Sequence, residues 1–299
     1  MTSENPANRP ILVGVDGSRS ATDAVRWAAA EAQRRHTGLR LVEAFGWLPV
    51  EDGSDAAHVS PSYGQILVEA ARDRLAAAAA VAAAAAPDVE VSTDALADYP
   101  IPRLVVESRT AQLVVVGDRG LAGISGLLIG SVAAGLAAHA ACPTVVVRGV
   151  EPGGPIPTDG PVVVGIDGSP TSEAAVAYAF EAASVRRAPL VAVHTWRDAM
   201  LDTSVSLLID WDAVVVEEQQ LLAERLAGWA AKYPDVPIER VVTMDRPTHA
   251  LQERSAGAQL LVVGSRGRGG LAGTLLGSVS QTLLHHAACP VVIVRPDSR

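Results

Sequence analysis

The sequence predicts an α/β protein built as two tandem, doubly wound parallel-sheet domains. Three observations lead there. The chain has 299 residues, twice the size of a common domain. One unit is written twice along it. Within each copy, short continuous runs of Val, Ile and Leu alternate with stretches of helical spacing, the pattern of a parallel sheet covered on both faces.

The repetition is direct. Gly14-Val15-Asp16-Gly17-Ser18 recurs as Gly165-Ile166-Asp167-Gly168-Ser169, and Val115-Val116-Gly117-Asp118-Arg119-Gly120 as Val262-Val263-Gly264-Ser265-Arg266-Gly267. Gly130-Ser131-Val132 returns as Gly277-Ser278-Val279, and Ala141-Cys142-Pro143 as Ala288-Cys289-Pro290. The order is kept and the offset drifts by a few residues, as expected when a whole domain is duplicated. The expected division is a first domain over 1–150, a linker over 151–160 and a second domain over 161–299. The Pro- and Gly-rich run Glu151-Pro152-Gly153-Gly154-Pro155 marks the linker.

The elements follow in order. Ile11–Asp16 is an apolar run ending in a turn, hence a buried strand. Ser20–Arg35 spaces Ala21, Ala24, Val25 and Ala28 as one helix face, with Ser18 or Ser20 as its start signal. Leu39–Ala44 is a second strand. Tyr63–Ala86 is an alanine-rich helix stopped by Pro87. Val89–Ala95 is a third strand, and Pro100–Ser108 a short helix whose prolines suit a first turn. Leu113–Gly117, Ser131–Ala140 and Thr144–Arg148 give the fourth strand, fourth helix and fifth strand. The second copy repeats this with strands at Val162–Asp167, Leu190–Thr195, Ile238–Met244, Leu260–Gly264 and Val291–Arg295. Its helices are expected at Thr171–Arg187, Trp211–Tyr233, Thr248–Ala256 and Ser278–Ala287.

Composition excludes several classes. The net charge is −9, and no basic block offsets it, which argues against nucleic acid and anionic membranes as partners. The longest apolar run, Leu75 to Ala86, is short of the roughly 20 residues of a spanning helix. The first ten residues lack the apolar core of a secretory signal, so a cytoplasmic location is expected. Two cysteines, Cys142 and Cys289, are too few for a disulfide framework or a zinc site and read as small buried residues. His139 and His286 read as helix-end residues, and Trp196, Trp211 and Trp229 as packing.

The chemistry is expected after the first and fourth strands, because ligands of such sheets sit at the carboxyl ends where strand order reverses. The fourth-strand loops read Gly117-x2-Gly120-x9-Gly130-Ser131 and Gly264-x2-Gly267-x9-Gly277-Ser278. Glycines let backbone N–H groups approach an anion, and the final Gly-Ser opens a helix whose N-terminus favours phosphate. A solvated loop also carries glycines, but the same spacing at two strand-to-helix junctions favours the phosphate reading. Asp16 and Asp167 are then carboxylates for the sugar or base of a nucleotide; taken alone, each would be a turn aspartate. Arg119 and Arg266 lie inside the loops, within reach of phosphate or in solvent.

These motifs, a strand ending in Val-Asp-Gly-Ser or Ile-Asp-Gly-Ser and a Val-Val-Gly strand leading into Gly-x2-Gly-x9-Gly-Ser, resemble the ATP-binding branch of the universal stress protein family. Both halves carry the resemblance, in the tandem form common in actinobacteria, mycobacteria among them. It implies five parallel strands per half in the order 3-2-1-4-5, with ATP between the first-strand end and the fourth-strand loop. Asp16 and Asp167 would hold the adenosine end, and the backbone at Ala44 and Thr195 would meet adenine. Gly117, Gly120, Gly130 and Ser131, with Gly264, Gly267, Gly277 and Ser278, would hold ribose and phosphates. Val132 and Val279 would offer N–H groups. The fifth strands would pair within the chain as a pseudo-dimer, with homo-oligomers and an unnamed protein partner also open.

The resemblance further implies a regulator of stress adaptation, such as hypoxia, stationary phase or dormancy, whose bound ATP, with or without Mg²⁺, is a signal. A P-loop lysine is missing, since Lys232 is the only lysine and lies in Ala-Ala-Lys-Tyr-Pro, so at most slow hydrolysis is expected. An adenine-nucleotide-using enzyme on this fold and a nucleotide-free scaffold stay open. The halves differ at two loop positions: Asp118 against Ser265, and Leu121 against Arg268. The extra anion and missing cation of the first loop predict weaker ATP binding there.

Overall fold

A computed structural model describes residues 9–46, 61–121, 129–150, 154–196, 211–269 and 275–296. The chain forms two compact units, one ending at Arg148 and the other spanning Gly149–Pro296. Residues 151–153 of the expected linker lie outside the described residues.

The first unit runs β1 (Ile11–Gly14), α1 (Arg19–Arg35), β2 (Leu39–Phe45), α2 (Pro61–Ala85), β3 (Val91–Ala97), α3 (Pro100–Glu107), β4 (Leu113–Gly117), α4 (Ser131–His139) and β5 (Thr144–Val147). Its strands lie in the order β3-β2-β1-β4-β5, all parallel. The second unit runs β6 (Val162–Ile166), α5 (Pro170–Arg186), β7 (Leu190–Thr195), α6 (Trp211–Lys232), β8 (Ile238–Thr243), α7 (Pro247–Ser255), β9 (Leu260–Gly264), α8 (Ser278–His286) and β10 (Val291–Val294). Its order is β8-β7-β6-β9-β10, again parallel. Both orders are the expected 3-2-1-4-5.

The reason is visible in burial. Ile11, Leu12 and Val13 of β1, Leu113 to Val116 of β4 and Val145 to Val147 of β5 are all buried, as are their counterparts in β6, β9 and β10. Strands apolar on both faces need helices on both sides, and the crossovers supply them. Only the edge strands β3 and β8 keep exposed polar positions.

Several boundaries moved by one or two residues, and at two of them the cause is visible. β1 stops at Gly14, because Val15 makes the last ladder bond, to the Val42 carbonyl, and Asp16 turns the chain. β3 starts two residues late because Val89 N–H closes a turn onto Ala86 after Pro87. The start of α1 is settled by Ser18, whose Oγ accepts the Ala21 N–H at 3.0 Å; Ser169 caps α5 in the same way, at 3.2 Å from the Ser172 N–H. Among the described residues no helix is long and apolar enough to cross a membrane.

Candidate functional site

In each unit the chain leaves the two central strands in opposite directions along the sheet, opening a crevice at their carboxyl ends. The first unit has a cavity of ≈550 Å³ there. Asp16, Ala44, Gly117, Arg119, Gly120, Gly130, Ser131 and Val132 all line it. The second has a cavity of ≈460 Å³, lined by Asp167, Thr195, Gly264, Arg266, Gly267, Gly277, Ser278 and Val279. The sixteen residues that the sequence offers for the nucleotide are therefore brought to one of two cavities, eight to each.

The two aspartates act first as fasteners. Asp16 Oδ1 accepts the Ser18 N–H at 2.9 Å, closing a turn over Gly17. Its Oδ2 accepts the Leu121 N–H at 2.9 Å, tying the β4 loop to the end of β1. Asp167 repeats both bonds, to the N–H groups of Ser169 and Arg268, each at 2.9 Å. The turn reading and the site reading of these residues are thus compatible: the carboxylate that shapes the turn also faces the cavity. Burial alone would push the Asp167 carboxyl up. Hydrogen bonds from the Ser169 hydroxyl and N–H and from the Arg268 N–H, with the Arg268 charge, outweigh it and hold the group below its ordinary value.

Glycine is required where backbone and carboxylate meet. A Cβ at Gly120 would lie 2.6 Å from Asp16 Oδ2, and one at Gly267 2.5 Å from Asp167 Oδ2. At Gly117 a Cβ would overlap Ser20 Oγ and lie 2.6 Å from the Ser20 carbonyl carbon; at Gly264 it would lie 2.8 Å from that of Thr171. The return of each loop is pinned as well. Gly130 N–H donates to the Asp118 carbonyl at 2.7 Å, and Gly277 N–H to the Ser265 carbonyl at 2.8 Å.

The helices that follow start at the cavity wall. Gly130 and Gly277 are the N-caps of α4 and α8, and having no side chain they satisfy none of the first-turn donors. Those N–H groups, on Ser131, Val132 and Ala133 and on Ser278, Val279 and Ser280, belong to residues that line the cavities. Helix geometry leaves them without intrahelical acceptors, and they carry the positive end of the helix dipole.

Sequence reading missed the apolar wall. Val42, Pro100 and Leu104 face the first cavity, and Val193, Pro247 and Leu251 the second. The signal was present: Pro-x3-Leu opens the third helix of both copies, as Pro100–Leu104 and Pro247–Leu251. The expected placement of Asp118 in the site needs correction. Its carboxylate is buried and turned to α1, where Ser20 Oγ donates to Oδ1 at 2.9 Å, and Asp118 does not line the cavity. Ser265 replaces it without that bond, and there Thr171 Oγ1 donates to the Arg266 carbonyl instead.

The remaining residues fall elsewhere. Cys142 and Cys289 are buried, and burial pushes the Cys142 thiol up to about 12, which keeps it unreactive. His139 and His286 close α4 and α8. Trp229 stacks with Phe180 and Tyr233, and the Trp211 side chain lies outside the described residues. Among the described residues no group of three or more His, Cys, Asp or Glu is arranged to hold a metal.

Comparison with known proteins covers almost the whole chain. The Universal stress protein family matches residues 7–148 and again 160–295. The Mycobacterium tuberculosis universal stress protein Rv2623 is 43% identical over 290 residues, spanning 95% of this chain and 96% of that protein. A second universal stress protein of the same organism, Rv2005c, is 41% identical over 291 residues with the same coverage. Among solved structures, a universal stress protein from Archaeoglobus fulgidus superposes with a TM-score of 0.69 over 97% of this chain and 98% of that one, at 18% identity. That last likeness is one of fold.

Proposed function

This chain belongs to the universal stress protein family, and from that premise we propose that each half binds an adenine nucleotide, ATP in the first instance, and that the protein is a cytoplasmic, nucleotide-dependent regulator of stress adaptation. The observation that carries the reading is the uncapped N-terminus of α4 and α8 opening on the same cavity as Asp16 and Asp167. An anion there meets three convergent N–H groups and the helix dipole.

The residues fit the ligand by chemistry. Gly120 and Gly267 leave backbone where a Cβ would fill the space beside the aspartate. Val42, Ala44, Pro100 and Leu104, with Val193, Thr195, Pro247 and Leu251, give a wall suited to a flat apolar base. Asp16 and Asp167 keep carboxylate lone pairs free for ribose or base donors. A Mg²⁺ ion would depend on the phosphate oxygens and water for most of its shell, since the described residues hold no group of three or more His, Cys, Asp or Glu arranged as a cage.

The fasteners supply the regulatory element. The β4 and β9 loops are tied to β1 and β6 through one carboxylate each. A ligand that recruits those carboxylates changes what holds the loop, and so the surface the loop presents. Arg119 and Arg266 are well placed on the loops to meet phosphate, but among the described residues they have no catalytic base beside them to form the constellation of a fast phosphoryl-transfer enzyme.

Denaturing the purified protein and quantifying the released nucleotide by ion-exchange chromatography tests this. Close to two adenine nucleotides per chain is the expected result; release of ADP alone would move the reading towards slow hydrolysis. No release, followed by no heat on titration with ATP, would leave a scaffold without nucleotide.

A further inference from the structure

The two cavities share a backbone but not a charge. In the first, the N–H that closes onto Asp16 belongs to Leu121, which presents an exposed apolar side chain to the cavity. In the second, the corresponding N–H belongs to Arg268, whose side chain also lines the cavity. Its guanidinium folds back over the β6–α5 turn: a terminal nitrogen lies 2.6 Å from where a Cβ of Gly168 would be. A terminal nitrogen of Arg225 lies 2.6 Å from the same point, so two cations stand side by side there. Like charges so close repel unless an anion lies between them.

The counter-charges sharpen the contrast. Arg225 has Glu173 at 2.7 Å, and Arg268 has the Asp167 carboxylate nearby. Arg266 follows a serine. In the first half the cation over the turn is Arg74, held bidentately by the buried Glu43. Arg119, the lining cation of that half, has Asp118 at 3.6 Å. Each cavity has one glutamate-paired arginine beside it, Arg74 or Arg225, but the second is lined by two guanidinium groups and the first by one, with Asp118 at 3.6 Å.

Resting on the nucleotide reading above, we propose that the halves differ in the number of phosphates they select: the second half takes a nucleoside triphosphate, the first a nucleotide of lower charge, with Arg268 against Leu121 as the specificity-determining position. A guanidinium gains most from the most highly charged phosphate chain, through charge-assisted and bidentate hydrogen bonds. A leucine at the same place gains nothing from an added phosphate and leaves the site to Arg119 and the helix N-terminus, which one or two phosphates satisfy.

Calorimetric titration of the nucleotide-stripped full chain with ATP and with AMP tests this, together with Arg268→Leu and Leu121→Arg. Both side chains are exposed, and both substitutions keep the backbone N–H that closes onto Asp16 or Asp167. ATP should bind in two classes about tenfold or more apart, the gain of a charged hydrogen bond or two, while the spread for AMP is much smaller. Arg268→Leu should weaken the tighter ATP class about tenfold and leave AMP within about twofold. Leu121→Arg should tighten the weaker ATP class. Identical ATP affinities in both halves, or an Arg268→Leu loss equal for ATP and AMP, would overturn the proposal while leaving nucleotide binding intact. No heat with either nucleotide would overturn the nucleotide reading itself, and this proposal with it.

Discussion

The two halves keep the backbone devices that shape the cavity, differ in its lining at Leu121 and Arg268, and diverge most in what stands behind it. Both fasten the loop through one aspartate, both place glycine against that aspartate, and both open the fourth helix on an uncapped glycine. Behind these parts the packing diverges. Aligned on Pro87-Asp88-Val89 and Pro234-Asp235-Val236, the long helices put Ala82 and Ala86 where the second half has Trp229 and Tyr233. Across from them, fully buried Ala29 stands for Phe180. The alanines let α1 and α2 pack backbone to backbone, whereas the stack of Phe180, Trp229 and Tyr233, with ring centroids 5.9 to 6.4 Å apart, fills a wider gap between α5 and α6. On the second strand, Glu43 pairs with Arg74, but His194 bridges the Ile166 carbonyl and Glu218, each at 2.8 Å. The loop and its fasteners are local devices, so two different cores support the same cavity.

If that is right, the sharpest break comes from the local device itself. Gly117→Ala drives a methyl into the first turn of α1, and overpacking against backbone costs about 3 kcal/mol. Gly264→Ala meets only the Thr171 backbone and side chain at 2.8 Å and beyond, and should cost less. Urea unfolding of the two variants should rank them in that order. Either variant would disturb the fold with or without a nucleotide, so neither is a clean probe of binding.

Next comes the packing difference. Trp229→Ala removes one ring of the aromatic layer and should cost about 2 kcal/mol, less than for a fully buried tryptophan because the ring is partly exposed. Ala82→Trp has no room beside Ala29 and should be worse tolerated than Trp229→Ala. If both changes were neutral in urea titrations, the two cores would not be distinct solutions. A smaller contrast lies in the ion pairs. Arg74→Ala leaves Glu43 buried and unpaired and should cost about 1–2 kcal/mol, below the full value for a buried pair because Arg74 is about one-third exposed. Arg225→Ala releases a half-exposed Glu173 and should cost about 0.5 kcal/mol. Equal losses would mean that the burial of Glu43 has no energetic consequence.

Most of the fold and the lining of both cavities were legible in the sequence, because they rest on signals of short range. Val-rich runs, caps at Ser18 and Ser169, and glycines at fixed spacing each specify their own conformation. What escaped depends on side-chain direction. Nothing in the string Gly117-Asp118-Arg119 says that Asp118 turns inward to Ser20 and not to the cavity. Pro100 and Leu104 look like ordinary helix residues until α3 is placed over the strand ends. The aspartates carried both readings at once, and only the bonds from Leu121 and Arg268 show that one carboxylate serves the turn and the loop together.

The smallest expected effect tests that double service in the second half. The Asp167 carboxyl titrates below its ordinary value in the folded chain, so it contributes stability at neutral pH and above the ordinary carboxylate range. That contribution is lost as pH falls through the folded value, when protonation removes acceptors for Ser169 and Arg268. Asp167→Asn replaces one acceptor oxygen by a donor at every pH and should cost about 1 kcal/mol at pH 6, one hydrogen bond's worth. The gap between wild type and variant in urea midpoint should therefore be widest at pH 6 and narrow below about pH 4, where the unfolded carboxyl protonates. A gap that stayed constant down to pH 3 would mean that the charge of Asp167 does not hold the loop, and that its shape in the turn alone is what the fold uses.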